Sequence, residues 1–229
     1  TPLVGPPPDI DALHALGDDG VLALIGDSTN VFTAGEAGSE AAVRESLIEL
    51  VAGFERRVAV ACFASNVARL RTIAAAADGR DVVLVGRSLK RIDAVARKAG
   101  YLADVPAFLD EEDAGDLPRD KALLICTGSQ GEPRAALARI AADSHPHVTL
   151  EEGDTVILSS KIIPGNEMAI ARLHNRLVRR GIAVITEKEE FVHVSGHPNR
   201  DELVRMYQHV RPRASVPVHG EIRHLVEHA

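Results

Sequence analysis

The strongest constraint on how this chain can fold is an alternation that runs along its whole length. Short, continuously apolar and often β-branched runs are separated by stretches with helical periodicity. The strand candidates are Val21–Ile25, Val58–Cys62, Asp81–Val85, Ala122–Cys126, Thr155–Leu158, Ile182–Thr186 and Ser215–Val218. Most lack the apolar–polar alternation of a half-exposed strand, so they are expected to be covered on both faces. Strict β–α alternation then predicts an α/β fold, a mainly parallel sheet flanked by helices.

The intervening stretches carry helical stripes. Val43, Leu47, Ile48, Leu50, Val51 and Phe54 fall on one face of a helix. Ile170, Leu173, Leu177 and Val178 form a second stripe, closed by Arg179-Arg180-Gly181. Basic residues in a last turn followed by glycine are a helix stop signal. Beyond Pro198, Leu203, Val204, Tyr207 and Val210 make a third. The irregular parts are few. Thr1–Leu13 is proline-rich and is expected to run extended. Asp104–Arg119 contains Asp110-Glu111-Glu112-Asp113 and reads as an acidic, solvated loop, because adjoining acids do not converge on a metal.

Composition narrows the function. With 229 residues, 45 % of them hydrophobic, the chain can bury a core as one large or two small domains. No apolar run approaches the roughly 18–20 residues of a membrane helix, so no membrane partner is expected. Cys62 and Cys126 are too few and too far apart for a disulfide scaffold or zinc ribbon, and buried thiols in a reducing cytoplasm are expected. The net charge of −7 argues against an indiscriminate nucleic-acid binder. Yet 21 of the 26 basic residues are arginine, which suits bidentate phosphate contacts. The acidity is expected on outer helices and in the 110–113 loop, away from the strand ends.

In parallel α/β sheets, ligands bind beyond the carboxyl ends of the strands. The residues there form a consistent set: Gly26-Asp27-Ser28-Thr29-Asn30, Phe63-Ala64-Ser65-Asn66, Gly86-Arg87-Ser88, Thr127-Gly128-Ser129-Gln130-Gly131-Glu132, Ser159-Ser160-Lys161, Ser195-Gly196-His197-Pro198 and His219-Gly220-Glu221. Such residues free backbone N–H groups for phosphate. For any single loop, turn formation and helix capping are the better explanation; seven together, with Asp and His among them, favour a phosphate-handling cleft. Neither G-x-G-x-x-G nor G-x-x-x-x-G-K-[ST] occurs, so dinucleotide and P-loop chemistry are not supported. Of the ten histidines, His14, His174, His209, His224 and His228 lie in helical patterns, where solvated or capping roles are the default. His145-Pro146-His147 lacks the rest of a metal motif. His193, His197 and His219 lie on or beyond strands in Ser/Gly-rich surroundings and are the functional candidates.

Six ordered segments carry a resemblance: GDSTNVFTAGEAGSE at 26–40, FASN with Arg69 at 63–69, TGSQGEP at 127–133, IPGNE at 163–167, HVSGH at 193–197 and PVHGE at 217–221. The chain resembles the ribonuclease J family, in the β-CASP group of the metallo-β-lactamase superfamily. The resemblance implies a metal-dependent 5′→3′ exonuclease and endonuclease acting on single-stranded RNA, with zinc at a two-metal site, in a homodimer or tetramer. It implies catalytic roles for Asp27 and His197, and metal ligation by His219. It assigns phosphate or RNA contacts to Ser195, Gly196, Ser129, Gly131, Ser65 and Asn66. Residues 1–35 and 196–229 would belong to the metallo-β-lactamase domain and 36–195 to the β-CASP domain. Phe32 and Phe63 are candidates for base stacking or for core.

One departure matters. The family's H-x-H-x-D-H metal motif is absent, and a solitary imidazole does not hold a dinuclear zinc site. The expectation is therefore a piece of a longer nuclease that starts just past the metal half. It would supply RNA clamping, would not retain the zinc and would be inactive by itself. Two alternatives stay open. One is a non-catalytic RNA-binding or assembly module; the other is a small-molecule enzyme using Asp27 and His197 as an acid/base pair.

Overall fold

The structure, a computed structural model, describes residues 3–229. In chain order the elements are α1 (Ile10–Asp19), β1 (Ala23–Asp27), α2 (Glu40–Ala52), β2 (Val58–Ala61), α3 (Val67–Ala75), β3 (Asp81–Val85), α4 (Arg87–Lys98) and β4 (Leu109–Asp110). There follow β5 (Ala122–Cys126), α5 (Ala136–Ala141), β6 (Thr155–Leu158), α6 (Glu167–Arg179), β7 (Ala183–Ile185), α7 (Arg200–Val210), β8 (Ala214–Val218) and α8 (Ile222–His228). They group into two compact units, one of residues 40–193 with Leu3 and Val4, the other of residues 5–39 and 194–229. Among the described residues, no helix is long and apolar enough to cross a membrane.

The larger unit is the α/β sheet that the alternation predicts. Six strands lie in the order β4-β3-β5-β2-β6-β7, and every neighbouring pair is parallel. β2, β5 and β6 are buried at every position, as strands covered on both faces must be. The α2 stripe buries Val43, Leu47 and Val51 completely. In α6 the stripe buries Ile170, Leu173 and Leu177, whereas Val178 turns outward at 62 % exposure. Gly181 follows that helix at φ +71°, and an added Cβ would lie 2.7 Å from Glu152 Cγ, so both conformation and space demand glycine. Cys62 and Cys126 are buried and unpaired; burial pushes the Cys62 thiol up to about 12 and Cys126 also upward.

Three expectations change. The proline-rich opening is not extended throughout, because α1 begins at Ile10, capped by Asp9 Oδ1, which accepts the Ala12 N–H at 2.9 Å; Thr1 and Pro2 lie outside the described residues. The acidic stretch is not merely a solvated loop. Leu109–Asp110 adds β4 to the sheet edge, Asp110 pairs with Lys90 at 2.6 Å, and Glu111 Oε2 accepts the Gly86 N–H at 3.0 Å. Acidity therefore does reach a strand end, since Gly86 directly follows β3. The first strand runs two residues later than predicted: pairing with β8 sets Ala23 opposite Ala214 and Asp27 opposite Val218. Asp27 is thereby the last residue of a strand rather than part of a loop.

The smaller unit holds the two parallel strands β1 and β8 with α1, α7 and α8. α1 approaches α7 closely at Gly17, where a Cβ would lie 2.5 Å from the His209 carbonyl oxygen. His14 Nε2 and His209 Nδ1 meet there at 2.7 Å.

Candidate functional site

Two of the predicted catalytic residues, 170 positions apart in sequence, are brought together within the smaller unit. Asp27 Oδ2 lies 2.5 Å from His197 Nδ1, while its Oδ1 accepts the Thr29 N–H at 2.8 Å. Partial burial works to raise the Asp27 carboxyl, but the hydrogen bonds from His197 and Thr29 prevail and lower it to about 2. Asp27 is thus an anion that fixes the imidazole through Nδ1. The ring is about half exposed, 49 % against 25 % for Asp27, and among the described residues Nε2 has no hydrogen-bond partner. An imidazole oriented by a carboxylate with its second nitrogen free can hydrogen-bond an oxyanion or move a proton.

Polar ties rather than core hold the His197 loop. Ser195 Oγ accepts the His197 N–H at 3.1 Å and an Asn30 Nδ2–H at 3.0 Å. Asn30 Nδ2 also donates to the His197 carbonyl at 3.0 Å, and Asn30 is only 6 % exposed. Ser195 is thus engaged in shaping its own loop. Gly196 is open, with nothing within 4 Å of an added Cβ. Behind Asp27, the fully buried Ser28 hydroxyl meets His228 Nδ1 at 2.8 Å, and His228 Nε2 meets the Tyr207 hydroxyl at 3.1 Å. His228 is therefore a packed, hydrogen-bonded residue, not a solvated helical one. Phe32 is half exposed, with the Arg223 guanidinium 5.8 Å from its ring centre, and Phe63 is 36 % exposed; neither is core.

His219 directly follows the neighbouring strand β8, in a left-handed conformation, φ +58°, and is exposed. The implied zinc can be tested against this donor set. Among the described residues, no three His, Cys, Asp or Glu side chains converge as metal ligands. A zinc site takes three or four protein ligands, so the residues present do not fit one.

The candidates of the larger unit stand differently. Ser65 is exposed. Asn66 caps α3, its Oδ1 accepting the Arg69 N–H at 2.9 Å. Ser129 is buried at 2 % exposure, which runs against its expected place on an RNA path. Gly131 lies so close to α6 that a Cβ would be 2.7 Å from the Ala169 carbonyl carbon. Between them, Gln130 donates through Nε2 to Ser160 Oγ and the Lys161 carbonyl, and accepts through Oε1 from Ile163 N–H and Asn166. The Gly-Ser-Gln-Gly turn thus ties loops together.

Sequence reasoning missed the hub of this unit. Arg69, wholly buried, pairs with Glu40 through Nε at 3.1 Å and Nη2 at 2.8 Å. Its Nη1 donates to the carbonyls of Ser159 at 3.0 Å and Val192 at 3.1 Å. His193, next along the chain, is pushed down to about 4, by burial first and then by the Arg69 charge. The only signal was an arginine within the FASN segment; nothing in sequence names Glu40 as its partner.

Comparison with known proteins follows the same segments. Residues 55–177 match a family model described as Ribonuclease J, beta-CASP domain, and residues 181–229 one described as Zn-dependent metallo-hydrolase RNA specificity domain. A protein named Ribonuclease J from Sinorhizobium meliloti is 50 % identical over 230 residues, covering 100 % of this chain and 41 % of that one. Another of that name from Mycolicibacterium smegmatis is 47 % identical over 98 % of this chain and 41 % of its own. The chain thus spans about two-fifths of the length of these relatives. A crystal structure of a protein of unknown function from Enterococcus faecalis superposes with a TM-score of 0.57 at 13 % identity, over 91 % of this chain and 48 % of that one. At that identity the likeness concerns fold alone.

Proposed function

The chain belongs to the ribonuclease J family, and from that premise we propose that it serves RNA processing and degradation, with the Asp27–His197 pair facing the phosphodiester of single-stranded RNA. The observation that carries this reading is the 2.5 Å contact joining the DSTN and HVSGH segments. Asp27 holds the proton on Nδ1 and supports positive charge on the ring. Nε2 then hydrogen-bonds a phosphoryl oxygen or delivers a proton to the departing oxygen. Residues 36–195 act as the β-CASP domain that clamps the strand, and residues 1–35 and 196–229 as parts of the metallo-β-lactamase fold. The separation into compact units at 39/40 and 193/194 supports that division.

Catalysis by the family's metal, zinc in this reading, needs ligands that this chain does not bring together, so the chain by itself binds RNA without cutting it. With a 5′-monophosphorylated single-stranded RNA and added Zn²⁺ or Mn²⁺, binding without digestion is expected. Digestion by the purified chain overturns the inactive reading; failure to bind overturns the clamp. Grafted in place of the matching segment of the Sinorhizobium relative, the chain is expected to restore nuclease activity. His197→Ala in that chimera is expected to lower kcat by about 10²–10⁴-fold, and an unchanged kcat removes His197 from the chemistry.

A further inference from the structure

Gly86-Arg87-Ser88 has no part in the proposed chemistry, yet it occupies a privileged place in the larger sheet. In the order β4-β3-β5-β2-β6-β7, the chain leaves β3 through α4 toward β4, on one side. It leaves the adjacent β5 through α5 toward β6, on the other. Connections that part in opposite directions open a crevice at the carboxyl ends of the two strands, where open parallel sheets bind their ligands. A cavity of about 520 Å³ lies there, within the usual range for small-molecule sites.

Arginine is the most frequent charged residue of the lining. Arg87, Arg134 and Arg139 all border the cavity, and among the described residues none of them forms an ion pair or side-chain hydrogen bond. Two carboxylates share the lining, but both are engaged: Glu111 accepts the Gly86 N–H and lies 3.4 Å from Lys90 Nζ, and Glu132 accepts the Gln130 N–H at 2.9 Å. No side chain caps α4, and Ser88 in its first turn adds a hydroxyl to the wall. His145 supplies an independent pointer. Its side chain is only 2 % exposed, yet it borders the cavity. Its Nδ1 accepts the Val148 N–H at 3.2 Å, which puts the ring proton on Nε2. That nitrogen is 3.9 Å from Glu111, outside hydrogen-bond reach, and has no such partner among the described residues. Gly86 fixes the floor: at φ +127°, a Cβ there would lie 2.7 Å from Thr127 Oγ1 across the crevice.

We propose that this crevice binds the phosphoryl group of a small phosphorylated molecule of mononucleotide size, with Arg87, Arg134 and Arg139 gripping the oxygens and His145 Nε2–H donating from below. Arginine forks match phosphate oxygens, and a pocket walled by them has no use for an apolar ligand. The site does not rest on the nuclease reading, since its probes need neither RNA nor hydrolysis.

The test is calorimetric titration of the 229-residue chain with inorganic phosphate and with adenosine 5′-monophosphate, backed by amide chemical shifts at residues 86–88 and 134–139. Saturable binding of the mononucleotide, competed by phosphate, is expected. The exposed pair Arg87→Ala/Arg134→Ala should weaken it at least about tenfold with unchanged circular dichroism, and Arg139→Ala alone by less. Absent saturable binding, or binding unchanged in the double variant, overturns the proposal. A third arm uses a single-stranded RNA without a terminal phosphate: if it shifts these amides while the mononucleotide does not, the crevice takes strand phosphates and the small-molecule assignment is wrong.

Discussion

The two units solve the same problem, holding polar groups in place, by opposite means. Residues 40–193 enclose a core in which β2, β5 and β6 pack with α5 and α6, further apolar side chains of α2 and α3 are buried as well, and Arg69 is wholly buried among them. In residues 5–39 and 194–229, the buried apolar side chains among those described are Val31, Val194, Leu203 and Val210. Meanwhile Leu22 at 75 %, Ile25 at 69 % and Ile222 at 75 % remain exposed. Yet the Asp27–His197 pair belongs to this thinly cored unit. Its geometry is kept by hydrogen bonds to Asn30, Ser195 and Thr29, which water can compete for once the loop opens. Apolar burial is concentrated in one unit and the candidate chemistry in the other, a division in keeping with functional segments drawn from the less densely packed parts of a protein.

The harshest test of that contrast is Arg69→Ala. It removes the charge partner of Glu40, leaving it only the Asn66 amide at 3.4 Å, and takes one donor from each of the Ser159 and Val192 carbonyls, so the larger unit should lose about 3–5 kcal/mol. Urea unfolding followed by circular dichroism measures it, and a loss under 1 kcal/mol would mean that the network is decorative. Matched truncations come next. Leu124→Ala, in a wholly buried strand, should cost about 2–5 kcal/mol, while Leu22→Ala should stay within about 0.5 kcal/mol. Equal costs would show that Leu22 is packed as firmly in the smaller unit as Leu124 is in the larger.

Legibility in the sequence divides along the same line. Where burial on both faces dictates residue type, the reading is accurate: Ala122–Cys126 and Thr155–Leu158 are strands residue for residue, and so is Asp81–Val85, whose last three positions are buried. β4 escaped because two residues in an acidic run carry no periodicity, and their strand state comes from pairing with Val83 and Leu84. β1 slipped by two because Leu22 and Ile25, though apolar, are exposed, so hydrophobicity did not mark its ends. At the sites, motif order identified Asp27 and His197, which do meet. It could not separate the exposed Ser65 from the buried Ser129, since serine suits a turn in either place. Nor could it see Glu40 paired with Arg69, a contact made by tertiary packing alone.

Acid separates the units in a second way. His193 is held down near 4 mainly by burial, so between pH 6.5 and 4 the unfolded chain binds the extra proton and the larger unit loses stability as pH falls. Because the ring keeps some solvent contact, the loss should be about 1–2 kcal/mol rather than the full linkage. His193→Gln should flatten the melting temperature over that window. Asp27, lowered to about 2, works in a different window: its contribution is complete above about pH 4 and fades only toward pH 2. If the pH dependence between 6.5 and 4 survives His193→Gln, another group controls it.

The smallest loss expected from removing a polar tie bears most closely on the candidate site. Asn30→Ala removes the donor shared by Ser195 Oγ and the His197 carbonyl, at a cost of about 1 kcal/mol. Global unfolding should scarcely register it, because the larger unit dominates the signal. Amide hydrogen exchange should register it clearly: protection at residues 195–199 should fall about fivefold, while β2, β5 and β6 keep theirs. Confinement to the loop would mean that polar ties alone position His197. A loss spread into α1 and α7 would mean that the unit opens as a whole, so that its few buried residues and its hydrogen bonds form one cooperative structure.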